Sequence, residues 1–355
     1  MPKDKNLWIF GEWLGKTYRD NSKYLFEYAL RQSSAPRCVW ITRNAKIQME
    51  LRAKGIEAYH PNSLRGVFLI MRAHTAVISV DILDIHKGLL APKRLVQLYH
   101  GSPLKRISAD DEKRHRPWRS VLKRLLLTRK YNQYDIQLSA APAVSECLRT
   151  AYPNTKQIVE LGYPRSDVLK KTREPLNSIT YLPTHRNFGK AQENFLFRSF
   201  RESEIDSWLN RRGMKLKIKL HPFSIGCNLS LDECQNITLV DPGEDAYQLL
   251  QETAILITDY SSIYLDFLLT KRPIIFSPFD IDDYLRSDRT LYFRYEDVTP
   301  GPRCEDWPSI LEELEKICAG VDTYKGRRRE VCNRFNTHQD FQSSRRVYEF
   351  LLQSA

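Results

Sequence analysis

The 355 residues contain no C-x-x-C pair, and the seven cysteines (Cys38, Cys147, Cys227, Cys234, Cys304, Cys318 and Cys332) are odd in number and scattered. That pattern argues against a disulfide frame and a zinc site, and for a reducing compartment. Long apolar runs are missing as well: the most apolar window, Val67 to Leu83, is broken by Arg72, His74 and Asp81. No apolar stretch follows Met1-Pro-Lys-Asp-Lys5. Neither a secretory leader nor a bilayer span is therefore expected, and the chain reads as cytoplasmic. There is no internal repeat and no low-complexity tract. Acidic residues are in deficit, 43 Asp plus Glu against 55 Lys plus Arg, for a formal charge of +12 and a pI near 9.3. Anionic partners follow: phosphate esters, a membrane surface or nucleic acid. Aromatic stacking motifs, a helix-turn-helix pattern and a dedicated basic arm are all absent, so nucleic acid is not expected among them.

What the chain does have is regular punctuation. Short apolar runs fall at Leu7–Phe10, Cys38–Ile41, Ala76–Val80, Leu95–Tyr99, Ile136–Leu138 and Ile158–Leu161, and a second series at Ile179–Leu182, Leu216–Leu220, Ile237–Val240, Ile255–Ile257 and Ile274–Phe276. Helix-like patterns such as Tyr24–Leu30 and Phe195–Phe200 fill the intervals, and a polar, Arg-rich helical segment starts near Gly326. Strands alternating with helices make parallel sheets. The length suits two domains, so the fold class is α/β with two doubly wound domains. Pro164, Pro175 and the Lys170–Arg173 run interrupt the apolar pattern between Tyr163 and Asn177. The expected domains are 1–170 and 171–355, the second including the carboxyl-terminal helical segment.

The most informative stretch is Ala254–Leu269 followed by Lys271–Phe276, which reads as strand, tight turn, helix, strand. The turn would aim unpaired helical N–H groups past the strand end, beside the hydroxyls of Ser261 and Ser262. This is either a phosphate cradle or a capped helix; Asp259 and two adjacent serines exceed what a cap needs. Ligands of open α/β sheets gather at the carboxyl ends of strands. Those ends carry His100, Ser139, Thr184-His185-Arg186, His221 and Asp241.

His100 closes the fourth strand of the first half, in Leu98-Tyr-His-Gly-Ser-Pro-Leu-Lys105, where a neutral imidazole beside a permissive Gly101 can take a proton near pH 7. It is the candidate base, with a turn histidine as the plain alternative. Lys217-Ile-Lys-Leu-His-Pro222 places Lys219 and His221 on one strand face by period two, on an anion or on a solvated edge. Thr184 and Arg186 end the first strand of the second half, and Arg suits bidentate phosphate binding. Asp266, one turn after Ser262, could accept from ribose hydroxyls or simply be solvated. Asp280-Ile-Asp-Asp283 has the form of a D-x-D metal pattern and equally of an acidic surface; no metal ligands are assigned. Residues 113–130 hold eight Lys or Arg and no acid. Trp118, Val121, Leu122 and Leu125 share one helical face there, for an anionic membrane or for a core.

Taken together, His100-Gly-Ser-Pro-Leu-Lys105, Gly162-Tyr-Pro-Arg-Ser-Asp-Val-Leu169, Leu182-Pro-Thr-His-Arg186, Lys219-Leu-His-Pro222 and Ile257-Thr-Asp-Tyr-Ser-Ser262 followed by Arg272-Pro-Ile-Ile275 resemble the CDP-glycerol glycerophosphotransferases of teichoic acid and capsule synthesis. Order and spacing agree from Tyr18-Arg-Asp-Asn-Ser-Lys23 to the carboxyl end. The resemblance implies a GT-B architecture, two Rossmann-like domains facing a cleft, peripheral attachment to the inner face of the cell membrane, a CDP-polyol donor and a glycan or lipid-linked acceptor. It makes His100 the base on the acceptor hydroxyl, with Ser102 and Lys105 on the acceptor side, and His221 a second essential imidazole. Donor contacts would come from Thr184, Arg186, Lys219, Asp259, Ser261, Ser262 and Asp266. They would also come from His338, Ser343, Ser344 and Arg345 in the segment Phe335 to Arg346. The family often has Thr at Ser102, Trp at His185 and Asp-Gly at Gln339-Asp340. No cofactor is assigned: CDP-glycerol enters as donor substrate. Ribitol phosphate or a nucleotide sugar is the alternative cargo.

Overall fold

The computed structural model describes residues 1–111, 133–170, 176–184, 199–220, 231–281, 284 and 290–353, apart from 34, 87 and 90. The basic tract 113–130 and all but the end of the expected Phe195–Phe200 helix lie outside the described residues. The chain divides into two compact units. The first comprises Met1–Ser102, Ile107–Asp167 and Phe335–Ala355, the second Pro103–Arg106 and Val168–Arg334.

In the first unit β1 (Asp4–Phe10), β2 (Arg37–Ile41), β3 (Ala58–Tyr59), β4 (Ala73–Ile78), β5 (Arg94–Gln97), β6 (Ile136–Ser139) and β7 (Gln157–Glu160) form one sheet in the order β3-β2-β1-β4-β5-β6-β7. Every pairing is parallel; Trp8, for example, lies beside Cys38 on one side and Thr75 on the other. Such strands are covered on both faces, which is why β4 is buried at all six residues and reads as a continuous run rather than an alternation. The covering helices start where local chemistry allows. In α1 (Asp20–Leu30) Asp20 accepts from the Asn21 N–H, and in α2 (Ala45–Ala53) Asn44 caps Lys46 and Ile47. Ser63 caps α3 (Leu64–Arg72), and Pro142 stands at the start of α4 (Pro142–Ala151). Phe10, Phe26 and Trp40 meet edge to face, with centroids 5.1 and 5.3 Å apart, an arrangement worth about 1 kcal/mol per pair beyond the area buried.

In the second unit β8 (Ser178–Leu182), β9 (Lys215–Ile218), β10 (Ile237–Leu239), β11 (Thr253–Thr258) and β12 (Ile274–Phe276) order as β10-β9-β8-β11-β12, again all parallel. The helices are α5 (Glu202–Arg212), α6 (Ala246–Gln251), α7 (Ile263–Phe267), α8 (Tyr295–Val298), α9 (Trp307–Cys318) and α10 (Lys325–Phe335). Trp307, buried at the start of α9, packs on Tyr181 and Phe200 with centroids 5.3 and 4.6 Å away. Both units are therefore doubly wound and Rossmann-like, with the strand order reversing between β1 and β4 in one and between β8 and β11 in the other.

Two segments belong to the other unit from the one expected. The carboxyl-terminal helix α11 (Ser343–Gln353) joins the first unit: Val347, Tyr348 and Leu351 sit in the same core as Trp8 and Phe26. Arg94, itself buried, donates to the Leu351 carbonyl at 2.7 Å. Helical periodicity gives α11 an apolar face but cannot say which core receives it. Conversely, Pro103–Arg106 joins the second unit, because Lys105 bridges antiparallel to Leu291 and the Arg106 N–H reaches the Thr290 carbonyl. The edge strand β3 went unforeseen, two residues being too few for a period. The other eleven strands fall on the eleven apolar runs, shifted by at most a few residues.

Candidate functional site

His100 follows β5, at the carboxyl edge of the first sheet, and is half-buried. Its ring lies against Tyr99, with centroids 4.3 Å apart, and meets Trp13 edge on at 6.1 Å. Its carbonyl accepts from Arg165 Nη1 at 2.7 Å. Tyr99 has φ +59° and Gly101 φ +128°, so the backbone on either side of the imidazole is left-handed. A Cβ at position 101 would stand 2.3 Å from Arg165 Nη2, and glycine is required there on both counts. The next residue, Ser102, is 1% exposed. Lys105 sits with the second unit, its ammonium 4.9 Å from the Tyr284 ring centre.

The expected donor residues of the carboxyl-terminal segment also lie in the first unit. A ring nitrogen of His338 bonds the Glu160 carbonyl at 3.1 Å, where β7 ends. The N–H groups of Ser343 and Ser344, which open α11, are taken by the two carboxylate oxygens of Asp167 at 2.8 and 2.7 Å. Burial pushes the Asp167 carboxyl up, against the pull of those same N–H groups and the Ser344 hydroxyl. Gly162, at φ +78°, leaves room for Ser343, whose Oγ would be 2.5 Å from a Cβ. Arg345 is exposed and pairs with Glu349 at 2.8 Å. The helix start is thus internally capped by Asp167.

In the second unit the strand ends on either side of the β8/β11 reversal are joined by Asp259. Its carboxylate, fully buried, accepts from the Thr184 N–H at 2.9 and 3.1 Å and from the Tyr260 N–H at 2.6 Å. The Tyr295 hydroxyl donates to its carbonyl at 3.1 Å. Ser261 and Ser262 follow at once, both half-buried. Ser262 stands at the cap position of α7 with no side-chain bond to the helix, so its hydroxyl is not a cap. Asp266 is fully buried and receives the Tyr247 hydroxyl. Lys219 is buried too, donating to the Asp241 and Pro242 carbonyls at 3.0 and 2.9 Å, and in this way holds the loop after β10. Asp280 accepts from Tyr260 at 3.1 Å. His221, Arg186, Asp282 and Asp283 lie outside the described residues. Among the described residues no group of three or more His, Cys, Asp or Glu side chains could hold a metal ion.

A family model described as CDP-Glycerol:Poly(glycerophosphate) glycerophosphotransferase matches residues 1–353. The chain belongs to this family. Among similar proteins, the teichoic acid glycerol-phosphate transferase of Staphylococcus aureus (strain NCTC 8325 / PS 47) is 26% identical, over 97% of this chain and 92% of its own length. The teichoic acid poly(glycerol phosphate) polymerase of Bacillus subtilis (strain 168) is 26% identical over 89% of this chain, which spans only 44% of that protein. The solved structure of the wall teichoic acid polymerase TagF superimposes with a TM-score of 0.80 at 23% identity, covering 99% of this chain and 90% of that one. That likeness establishes the GT-B-type fold.

Within this chain, sequence reasoning missed the acids at the β1/β4 reversal. Glu12, 1% exposed, is pushed up to about 8, chiefly by burial and then by Asp20, while the Thr17 hydroxyl bonded to it pulls the other way. Asp84, fully buried, is raised to about 6 by burial although the N–H groups of Leu14, Ser79, Val80 and Asp81 all point at it, at 2.8 to 3.3 Å. Arg165 was missed as well. It stands inside the quoted motif Gly162–Leu169, and Asp20 and Asn21 inside Tyr18–Lys23, so the motifs marked the right places without assigning them work.

Proposed function

We propose that this chain transfers glycerol phosphate from CDP-glycerol to a hydroxyl of a teichoic acid or capsule type acceptor, glycan or lipid-linked, and releases CMP. Family membership sets the reaction class. The observation that carries the reading is an imidazole, His100, standing at a strand's carboxyl end on a backbone held by a buried guanidinium. His100 takes the proton of the acceptor hydroxyl. The freed oxygen bonds to the phosphorus that bears glycerol, and the bond from that phosphorus to the bridging oxygen breaks, its electron pair leaving with CMP. The chain's contribution is placement and charge stabilisation. The hydroxyls of Ser261 and Ser262 donate to the diphosphate, and Arg186 and His221 are assigned to the same anion. A folded His100→Ala protein is expected to release CMP about 10² to 10⁴ times more slowly. Release at the wild-type rate would remove the assignment. Mass spectrometry of products from CDP-glycerol, CDP-ribitol and UDP-sugars tests the cargo; exclusive turnover of a UDP-sugar would sink it.

We also assign the tract 113–130, with eight basic residues and no acidic one, to an anionic membrane surface. Sedimentation with anionic liposomes, reversed by high salt, is the expected result. Unchanged sedimentation after charge reversal at Arg119, Lys123 and Arg124 would refute it.

A further inference from the structure

We propose that Arg165, together with Asp20 and Asn21, is the positioning device for His100, setting where the imidazole stands without touching substrate. The inference rests on the reading of His100 as the base. Arg165 is 4% exposed, and a buried guanidinium needs partners on every side. Its Nη1 reaches both Asp20 oxygens, at 3.0 and 3.1 Å, and the His100 carbonyl at 2.7 Å. Asn21, fully buried, runs a second set of bonds between the same two loops. Its Nδ2 donates to the Tyr99 and Leu98 carbonyls at 2.8 and 3.4 Å, and its Oδ1 accepts the Arg165 N–H at 3.1 Å. The three consecutive carbonyls Leu98, Tyr99 and His100 are thus each held by a side chain from α1 or from the turn after β7.

The backbone they hold would not stay there unaided. Tyr99 at φ +59° and Asp20 at φ +61° are left-handed without being glycine, a conformation that persists only where surroundings enforce it. Tyr99 and Trp13 flank the ring itself, so what remains to be set is the placement of the loop, and Arg165 sets it. A lysine cannot do the same. All three contacts come from Nη1, whose two N–H groups are fixed in direction by the planar guanidinium, whereas an ammonium on a flexible stem has no such fixed direction.

The test is steady-state kinetics with CDP-glycerol and a short lipid-linked poly(glycerol phosphate) acceptor, on Arg165→Lys, Asp20→Asn and each combined with His100→Ala. The single variants are expected to lose about 10- to 100-fold in kcat, as a base displaced by about 1 Å would, with KM for CDP-glycerol unchanged. In the His100→Ala background the same substitutions are expected to cost nothing more, because their effect passes through the imidazole. A loss of equal size with His100 already gone overturns the positioning role, since a merely structural effect persists there. So does wild-type kcat in Asp20→Asn, which preserves shape should Arg165→Lys fold poorly. Retained turnover in His100→Ala itself fails the base assignment instead, and the two failures are told apart by that one variant.

Discussion

The two units share a strand order up to the fifth strand and differ in what they place where that order reverses. In the first, the reversal between β1 and β4 is lined by buried acids that hold their protons more tightly than usual, Glu12 and Asp84. In the second, the reversal between β8 and β11 is closed by Asp259, whose carboxylate is shared out among backbone N–H groups, and is fringed by serine hydroxyls. Topology brings loops together at the same place in both; the loop residues decide whether that place stores protons or presents donors.

The comparison sharpens most at Glu12. With its folded carboxyl at about 8 against an ordinary 4.5, the native state keeps a proton that the unfolded chain has already lost, so stability falls as pH rises through that window. Glu12→Gln removes the penalty. Relative to the wild type, it is expected to gain on the order of 5 kcal/mol between pH values below and above the window. Parallel stability-against-pH curves from urea unfolding would show that the first reversal stores no proton. At the second reversal, Asp259→Ala leaves two N–H groups facing a void and is expected to cost about 2 to 3 kcal/mol of stability. Ser262→Ala should leave stability within about 0.5 kcal/mol and weaken CDP-glycerol binding by about 1 to 3 kcal/mol. Calorimetry returning unchanged affinity for that variant would break the contrast. Smaller effects are expected away from both reversals: Asp167→Ala, uncapping α11, is expected to cost about 1 to 2 kcal/mol. Removing the exposed Arg345–Glu349 pair should cost under about 0.5 kcal/mol. Equal losses in chemical unfolding would mean that the cap does not hold α11.

Much of the fold was legible because strands buried on both faces are written as continuous apolar runs, as at Ile255–Ile257 and Ala76–Ile78. The positions of His100, Ser261 and Ser262 just past strand ends were legible for a related reason, since they follow such runs. Lys219, Asp266, Ser343 and Ser344 are of types that suit an anion. What each meets is a polar group elsewhere in the chain: two loop carbonyls, the Tyr247 hydroxyl and the Asp167 carboxylate. Nothing about residue type announces such a partner.

By itself, the order of apolar runs and turn residues determined two parallel sheets and their strand ends, and the motifs carried the family resemblance, since periodicity and motif spacing are local properties. Only the tertiary structure decided which polar side chains face inward and which core takes α11. Those outcomes depend on partners far apart in sequence, 75 residues for Asp259 with Thr184 and 145 for Arg165 with Asp20. A buried charge must find its partner wherever the fold brings one, and no window along the chain is wide enough to show it.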